Sequence, residues 1–193
     1  MNNFFQKNTF VIDQKVWTVA NSYRILGEDG QQIGVIQEDL PAIRLILSFF
    51  VSKKNLPFTL HLKDGDNNVM ATIEKKFSFI TASVDIKDGN GTKIGAIKQK
   101  FTLLKPSYEI YDANSKLIGT ITGDWLAWEF KVLDPNQNVL ATISKKWNGA
   151  MKEIFTDSDK YVISVSPQVT DEKMRMAIIS ASAVVDKINK ERN

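Results

Sequence analysis

The chain has 193 residues, 43% of them hydrophobic, which is enough for one globular domain with a full core. Its 25 basic and 22 acidic residues give a net charge of +3, which is weak support for a nucleic-acid partner. Since cysteine is absent, disulfides, thiol nucleophiles, zinc–thiolate sites and palmitoylation are excluded. The N-terminal segment lacks a long apolar core and a small-residue cleavage site, so we expect a first strand there and no secretory signal.

A short unit of sequence recurs five times along the chain. Each copy has an alternating apolar run, a polar turn, and a second run that ends in Gly or Ala, any residue, and Ile. The copies begin at Ser22, Phe58, Ala82, Ser107 and Trp128. Alternating apolar residues around Asp, Asn and Gly predict two antiparallel strands joined by a tight turn. Repeated hairpins at this spacing predict a β-barrel or a β-sandwich.

The repeat also places lysines at equivalent positions. The isoleucines that close the copies should lie at one level of the sheet; they are Ile36, Ile73, Ile97, Ile121 and Ile143. Lysines follow them in three copies, namely Lys75, Lys76, Lys98, Lys100, Lys145 and Lys146, whereas Glu38, Asp39 and Asp124 break the pattern in the other two. One interpretation is a basic, aromatic rim that binds lipid headgroups or another phosphate-rich surface. The alternative is that lysines protect exposed strand ends from aggregation.

An apolar segment between the first two copies departs from the hairpin pattern. It predicts a helical insertion at about 40–54, with a cap and an early proline at its start. About 10 apolar positions are too few to span a bilayer, which needs roughly 20, so the segment is either buried against the barrel or inserted shallowly into an interface. Phe49 and Phe50 are the candidate insertion residues, and Lys53 and Lys54 would suit anionic headgroups.

The C-terminal segment predicts a helix at about 171–190, because acidic residues lie in its first turn and basic residues in its last. Between Met176 and Val185 it has neither charge nor a polar face, so it must be buried on every side. Its many small side chains would fit closely inside a ring of strands. The sequence therefore predicts a mainly β fold, a closed antiparallel barrel around a central hydrophobic helix.

The sequence resembles the phospholipid scramblase family, within the wider group of Tubby-like and LURP-one-like barrels. The resemblance is carried by the stretch EFKVLDPNQNVLATISKKWNGAMKEIFTDSDKYVISVS and by the Asp-Glu-Lys-Met start of the last helix. PFTLHLKDGDNNVMATIE and IKDGNGTKIGAIKQKF also match the style of the family, so the similarity extends over most of the chain from Phe10. It implies a barrel of 12 strands around the helix, a membrane-associated location, and Ca²⁺-activated movement of phospholipids between leaflets.

The resemblance also implies a Ca²⁺ loop that begins at Asp157. Asp157 and Asp159 supply carboxylates at its first and third positions, but Val162 stands where such loops need Gly and Gln168 where they need a bidentate Glu. Apolar alternation around Tyr161 predicts a strand instead. We therefore expect no cofactor, and the alternative is a weak, incomplete Ca²⁺ site.

Enzymatic chemistry has little support, since the single histidine, His61, lies in a strand pattern and no nucleophile–base pair accompanies it. Three functions stay open. The first is a scramblase-like protein that binds anionic phospholipid and promotes transbilayer lipid movement. The second is a non-enzymatic headgroup-binding or adaptor module, and the third is a nucleic-acid or protein adaptor. We expect a cytoplasmic, peripherally membrane-associated protein whose attachment uses protein surface, because no cysteine can be acylated.

Overall fold

The computed structural model describes residues 4–14, 22–39, 48–52, 55–78, 83–100, 107–124, 127–146 and 160–192, the last four by their backbone. A 3-10 turn at Phe4–Gln6 precedes twelve strands and one helix in these residues. The strands are β1 (Thr9–Asp13), β2 (Ser22–Leu26), β3 (Gln32–Asp39), β4 (Phe58–Asp64), β5 (Val69–Lys75), β6 (Ser83–Asp88), β7 (Lys93–Lys100), β8 (Ser107–Asp112), β9 (Leu117–Asp124), β10 (Glu129–Leu133), β11 (Val139–Ser144) and β12 (Lys160–Val165). The helix is α1 (Glu172–Arg192).

The sheet closes on itself. Each strand pairs antiparallel with its neighbours in the sequence, and β1 pairs with both β2 and β12. Closure removes the unpaired strand edges on which other chains could add. Of the two architectures that the repeat predicts, the barrel is confirmed and the sandwich is wrong.

The helix α1 fills the barrel. Residues 175–188 are all buried, and they form one core with the inward side chains of the strands. Ala177, Ala181 and Ala183 are among the buried positions, so small side chains let the helix pass through the ring of strands. The prediction of a hydrophobic C-terminal helix sheathed by a closed barrel is therefore confirmed.

The five tight turns lie together at one end of the barrel, here called the hairpin end. In four of them an Asp at the start of the turn accepts hydrogen bonds from the backbone amides two and four residues further on; these are Asp64, Asp88, Asp112 and Asp134. Gly27 replaces this Asp in the first hairpin, where the backbone hydrogen bonds are kept. The strand after each turn has one extra residue, as in a β-bulge, and a residue with positive φ lies within the turn, as in a type I turn followed by a left-handed residue.

The opposite end, where β5, β7 and β11 finish, is called the lysine end. The predicted helical insertion lies here, between β3 and β4, and residues 48–52 form a turn and a bend in place of a helix. Phe49 and Phe50 are 85% and 82% exposed, so burial against the barrel is wrong for these two side chains. Residues 40–47 and 53–54 lie outside the described residues, as do Asp157 and Asp159.

Candidate functional site: the lysine end of the barrel

Strand alternation decides which of the residues after the repeated isoleucines are buried and which are exposed. All five isoleucines are buried, and successive side chains of a strand point to opposite faces. The second residue after each isoleucine is buried or half-buried; these residues are Glu38, Lys75, Gln99, Gly123 and Lys145. The third residue is exposed; these residues are Asp39, Lys76, Lys100, Asp124 and Lys146. Only part of the predicted lysine set therefore reaches the surface.

Lys75 points into the barrel. Lys75 is only 2% exposed, and its Nζ donates a hydrogen bond to the carbonyl oxygen of Leu56 at 2.8 Å. The same nitrogen lies 5.9 Å from the ring centroid of Phe58. The expectation that Lys75 is a surface lysine is wrong, because it occupies an inward position of β5.

Three other lysines form a basic sector at the ends of β5 and β7, which are separated only by β6: Lys76 directly follows β5, and Lys98 and Lys100 belong to β7. Lys76 is exposed, Lys98 lies with its Nζ 4.6 Å from the ring centroid of Tyr111, and Lys100 lies with its Nζ 3.2 Å from Glu109. A hydrogen bond from the Tyr111 hydroxyl lowers the pKa of Glu109, and the charges of Lys100 and Lys98 lower it further. The carboxylate is thus charged at neutral pH, and the two lysines beside it leave the sector net positive.

Lys145 and Lys146 lie elsewhere on the ring, at the end of β11. Lys145 is half-buried with its Nζ 4.9 Å from the ring centroid of Trp128, and Lys146 is exposed with its Nζ 3.2 Å from Glu129. Exposed ion pairs of this kind contribute about 0–1 kcal/mol, so a phosphate could replace the carboxylate at small cost.

Exposed aromatic side chains adjoin the basic sector. Phe49 and Phe50 lie in the connection from β3 to β4, and β4 pairs directly with β5, the strand that Lys76 follows. Phe77, next along the chain, is 41% exposed. Large apolar side chains beside cations suit the boundary between headgroups and acyl chains.

Inside the barrel at the lysine end, buried charged side chains hold the last turns of α1. Lys187 Nζ lies 2.7 Å from Glu38 Oε2, and the two side chains are 8% and 0% exposed. Gln14 donates a hydrogen bond to Asp186 at 2.6 Å. Burial, with the charge of Asp186, raises the pKa of Tyr161 well above its usual value. Sequence reasoning treated Glu38 as a break in the lysine pattern, although its inward position two residues after Ile36 marks it as an internal partner.

His61 lies on the outer wall in a short polar line. Its Nε2 is 2.8 Å from Asp39 Oδ2 and its Nδ1 is 3.2 Å from Thr72 Oγ1. Nucleophilic catalysis also needs a concave pocket and donors for an oxyanion. Three clefts formed by described residues lie at the hairpin end, and none of them is lined by His61, Asp39 or Thr72.

Two further searches cover only the residues that the structure describes. No group of three or more His, Asp or Glu side chains there could hold a metal ion. No helix in the same part of the chain is long and apolar enough to cross a membrane. Around the predicted Ca²⁺ loop, Tyr161 and Val162 belong to β12, as the strand alternation predicts.

A closed antiparallel barrel around a buried C-terminal helix places the protein in the class of Tubby-like barrels. The model of the Scramblase family matches residues 8–192, and the chain belongs to that family. Among solved structures it is similar to an X-ray structure of a protein from Arabidopsis thaliana, with a TM-score of 0.55 and 12% identity over 92% of this chain and 90% of that one. At this identity the likeness shows the fold alone. No curated protein matches the chain.

Membership confirms the family resemblance and supports a scramblase-like function with membrane association. The Scramblase family is not in general a family of enzymes.

Proposed function

We propose that the protein is a cytoplasmic, scramblase-like, non-enzymatic protein that binds anionic phospholipid peripherally, with its lysine end against the bilayer, and promotes transbilayer lipid movement. The observation that carries the proposal is that Phe49 and Phe50, both more than four-fifths exposed, lie at the same end of the barrel as the basic sector of Lys76, Lys98 and Lys100. Family membership supports the same surface-bound role.

Two physical contributions add at this surface. An anionic leaflet attracts each nearby lysine by about 1 kcal/mol, and the attraction falls off within a Debye length of about 8 Å at physiological salt. Phe49 and Phe50 would transfer apolar area from water to the interface, which salt does not screen. We therefore expect binding that prefers anionic lipid and weakens with salt.

The test is sedimentation of the protein with neutral and with anionic vesicles, at low and moderate salt, with and without Ca²⁺. Wild-type protein should sediment with anionic vesicles without needing Ca²⁺, because the carboxylate set that begins at Asp157 is incomplete. The double variant Phe49→Asp/Phe50→Asp should remain in the supernatant. Its matched control is Val69→Asp/Val139→Asp, which changes two exposed apolar residues at the hairpin end and should bind like the wild type. Retained binding of the Phe variant would defeat the proposal.

The contribution of the lysines is tested one side chain at a time. Lys76→Gln or Lys100→Gln should each weaken binding to anionic vesicles by roughly fivefold, the equivalent of about 1 kcal/mol. Lys116→Gln removes an equally exposed charge at the hairpin end and should have no effect. Equal losses of binding in all three variants would show that only the net charge of the protein matters, and that the position of the lysines does not.

Headgroup binding without lipid movement is the second candidate, and the sheathed helix favours it. Residues 175–188 are buried inside the strands, so α1 presents no polar face along which a headgroup could cross. A leaflet-exchange assay on vesicles that bind the protein separates the two functions. Accelerated exchange would support lipid movement, and binding without acceleration would support a headgroup-binding module.

A further inference from the structure

Two clefts flank Met174 at the hairpin end, where α1 enters the barrel. The first has a volume of about 370 Å³, and its apolar wall is formed by Val139, Leu140, Val169 and Met174. The second, of about 290 Å³, lies on the other side of Met174. Ligand sites span about 300–1,000 Å³, so the first cleft is large enough for an aromatic side chain and too small for a large ligand.

Carboxylates lie at the mouth of the first cleft. Asp134 and Asp171 both line it, and both are held in place by backbone amides. Asp134 accepts from the amides of Asn136 and Asn138 at 2.8 Å, and Asp171 accepts from the amide of Met174 at 2.7 Å. A hydrogen bond from the Asn138 side chain lowers the pKa of Asp134, so its carboxylate is charged at neutral pH. The site therefore combines an apolar wall with fixed negative charge.

The whole hairpin end is acidic. Its turns and the entry to α1 contain nine acidic and two basic residues, counted over 27–31, 64–68, 88–92, 112–116, 134–138 and 166–173. The lysine end carries the basic sector of Lys76, Lys98 and Lys100 and the exposed Phe49 and Phe50. The two ends of the molecule are thus complementary both in charge and in apolar shape.

We propose that the cleft beside Met174 receives Phe49 or Phe50 of a second copy of this chain, with the basic sector of that copy facing Asp134 and Asp171. The contact covers an aromatic pair that would otherwise favour aggregation. It joins unlike surfaces of two copies, so repeating it forms either a closed ring or an open chain. The same aromatic pair serves membrane binding in the proposed function, so a bilayer and a second copy of the chain would compete for it. Self-association does not require that membrane binding occurs.

Sedimentation velocity without lipid tests this inference. The mean mass should rise above that of the monomer from low-micromolar concentration upwards and fall as salt is added, because the charges are exposed. Val139→Arg should weaken self-association by about tenfold or more, as expected for a residue at the centre of a small interface. Val69→Arg is the matched control: both valines open a strand after a turn and are exposed, at 37% and 44%, but Val69 lines neither cleft.

A labelled peptide of residues 48–54 repeats the test without relying on a variant. It should bind the wild-type protein saturably in a fluorescence anisotropy titration, and salt or Val139→Arg should weaken that binding. A chain that stays monomeric, a peptide that does not bind, or equal effects of the two Val variants would overturn the inference.

Vesicle binding separates this inference from the proposed function. Val139→Arg should still sediment with anionic vesicles, because its change lies at the hairpin end. A wild-type protein that binds vesicles and remains monomeric overturns self-association alone. A protein that self-associates and ignores vesicles overturns the membrane proposal alone.

Discussion

The two ends of the barrel use the same repeat differently. At the hairpin end, five copies build one turn geometry, because an Asp or Gly, a bulge and a left-handed residue are local requirements of a short turn. At the lysine end, the third residue after the isoleucine is Lys in three copies and Asp in two. There, strand alternation decides only whether a side chain points in or out, so its chemistry is free to differ between copies. Repetition thus maintains the scaffold, and divergence creates the surface that could recognise a partner.

The buried charges at the two ends of α1 show the same contrast. At the hairpin end the Arg175 guanidinium donates to neutral oxygens of Phe5, Lys7, Asn8 and Val169. Burial lowers the pKa of Arg175. At the lysine end, Lys187 pairs with the carboxylate of Glu38. The start of the helix is thus held by neutral oxygens of the N-terminal segment and of the loop before α1, and its end by an ion pair that needs a specific acidic residue.

Removing Glu38 should have the largest effect on stability. Glu38→Leu leaves Lys187 buried without this carboxylate, and breaking a buried pair in this way costs about 3–5 kcal/mol. The free energy of unfolding, measured by denaturant titration, should fall by that amount. Glu38→Leu/Lys187→Met should recover most of the loss, because it removes both charges. A single variant as stable as the wild type would show that the ion pair does not hold the helix.

A smaller effect is expected at the turns. Asp64→Ala removes the acceptor for the amides of Asp66 and Asn68, and the loss should be about 1–2 kcal/mol in the same denaturant titration. Asp64→Asn keeps an acceptor oxygen and serves as the control. Asp29 lies in the hairpin that lacks the leading Asp. Asp29→Ala should lower the free energy of unfolding by less, because Asp29 is exposed and, among the described backbone amides, accepts a hydrogen bond only from that of Gln31. Equal costs would mean that the side-chain hydrogen bonds do not define the turns.

The last effect is absent at neutral pH and arises only in alkali. Because the folded protein raises the pKa of Tyr161, its neutral phenol stabilises the fold fully below the unfolded pKa of about 10, and this stability is lost as pH rises through the folded value. One such group changes the free energy of unfolding by at most about 1.4 kcal/mol per pH unit. Tyr161→Phe should flatten the decline measured between about pH 9 and 12. An unchanged slope would contradict a role for Tyr161 at this end.

Several features could be predicted from the sequence because they depend on near neighbours. The turns follow from Asp, Asn and Gly between alternating runs, and α1 follows from an uncharged stretch between capping signals. The outward direction of Lys76, Lys100 and Lys146 follows from counting three residues from an isoleucine. The same count predicts the inward direction of Lys75, but the general rule that lysines lie at the surface obscured it.

What the sequence by itself determined is therefore the set of hairpins, the buried helix and the alternation of faces, all of which depend on spacings of a few residues. Only the tertiary structure decided between barrel and sandwich, because that choice rests on β1 pairing with β12. It also brought Glu38 to Lys187, 149 residues apart in the sequence, and left Phe49 and Phe50 in water beside a basic sector. These outcomes depend on which distant strands meet when the sheet closes, and local patterns contain no such information.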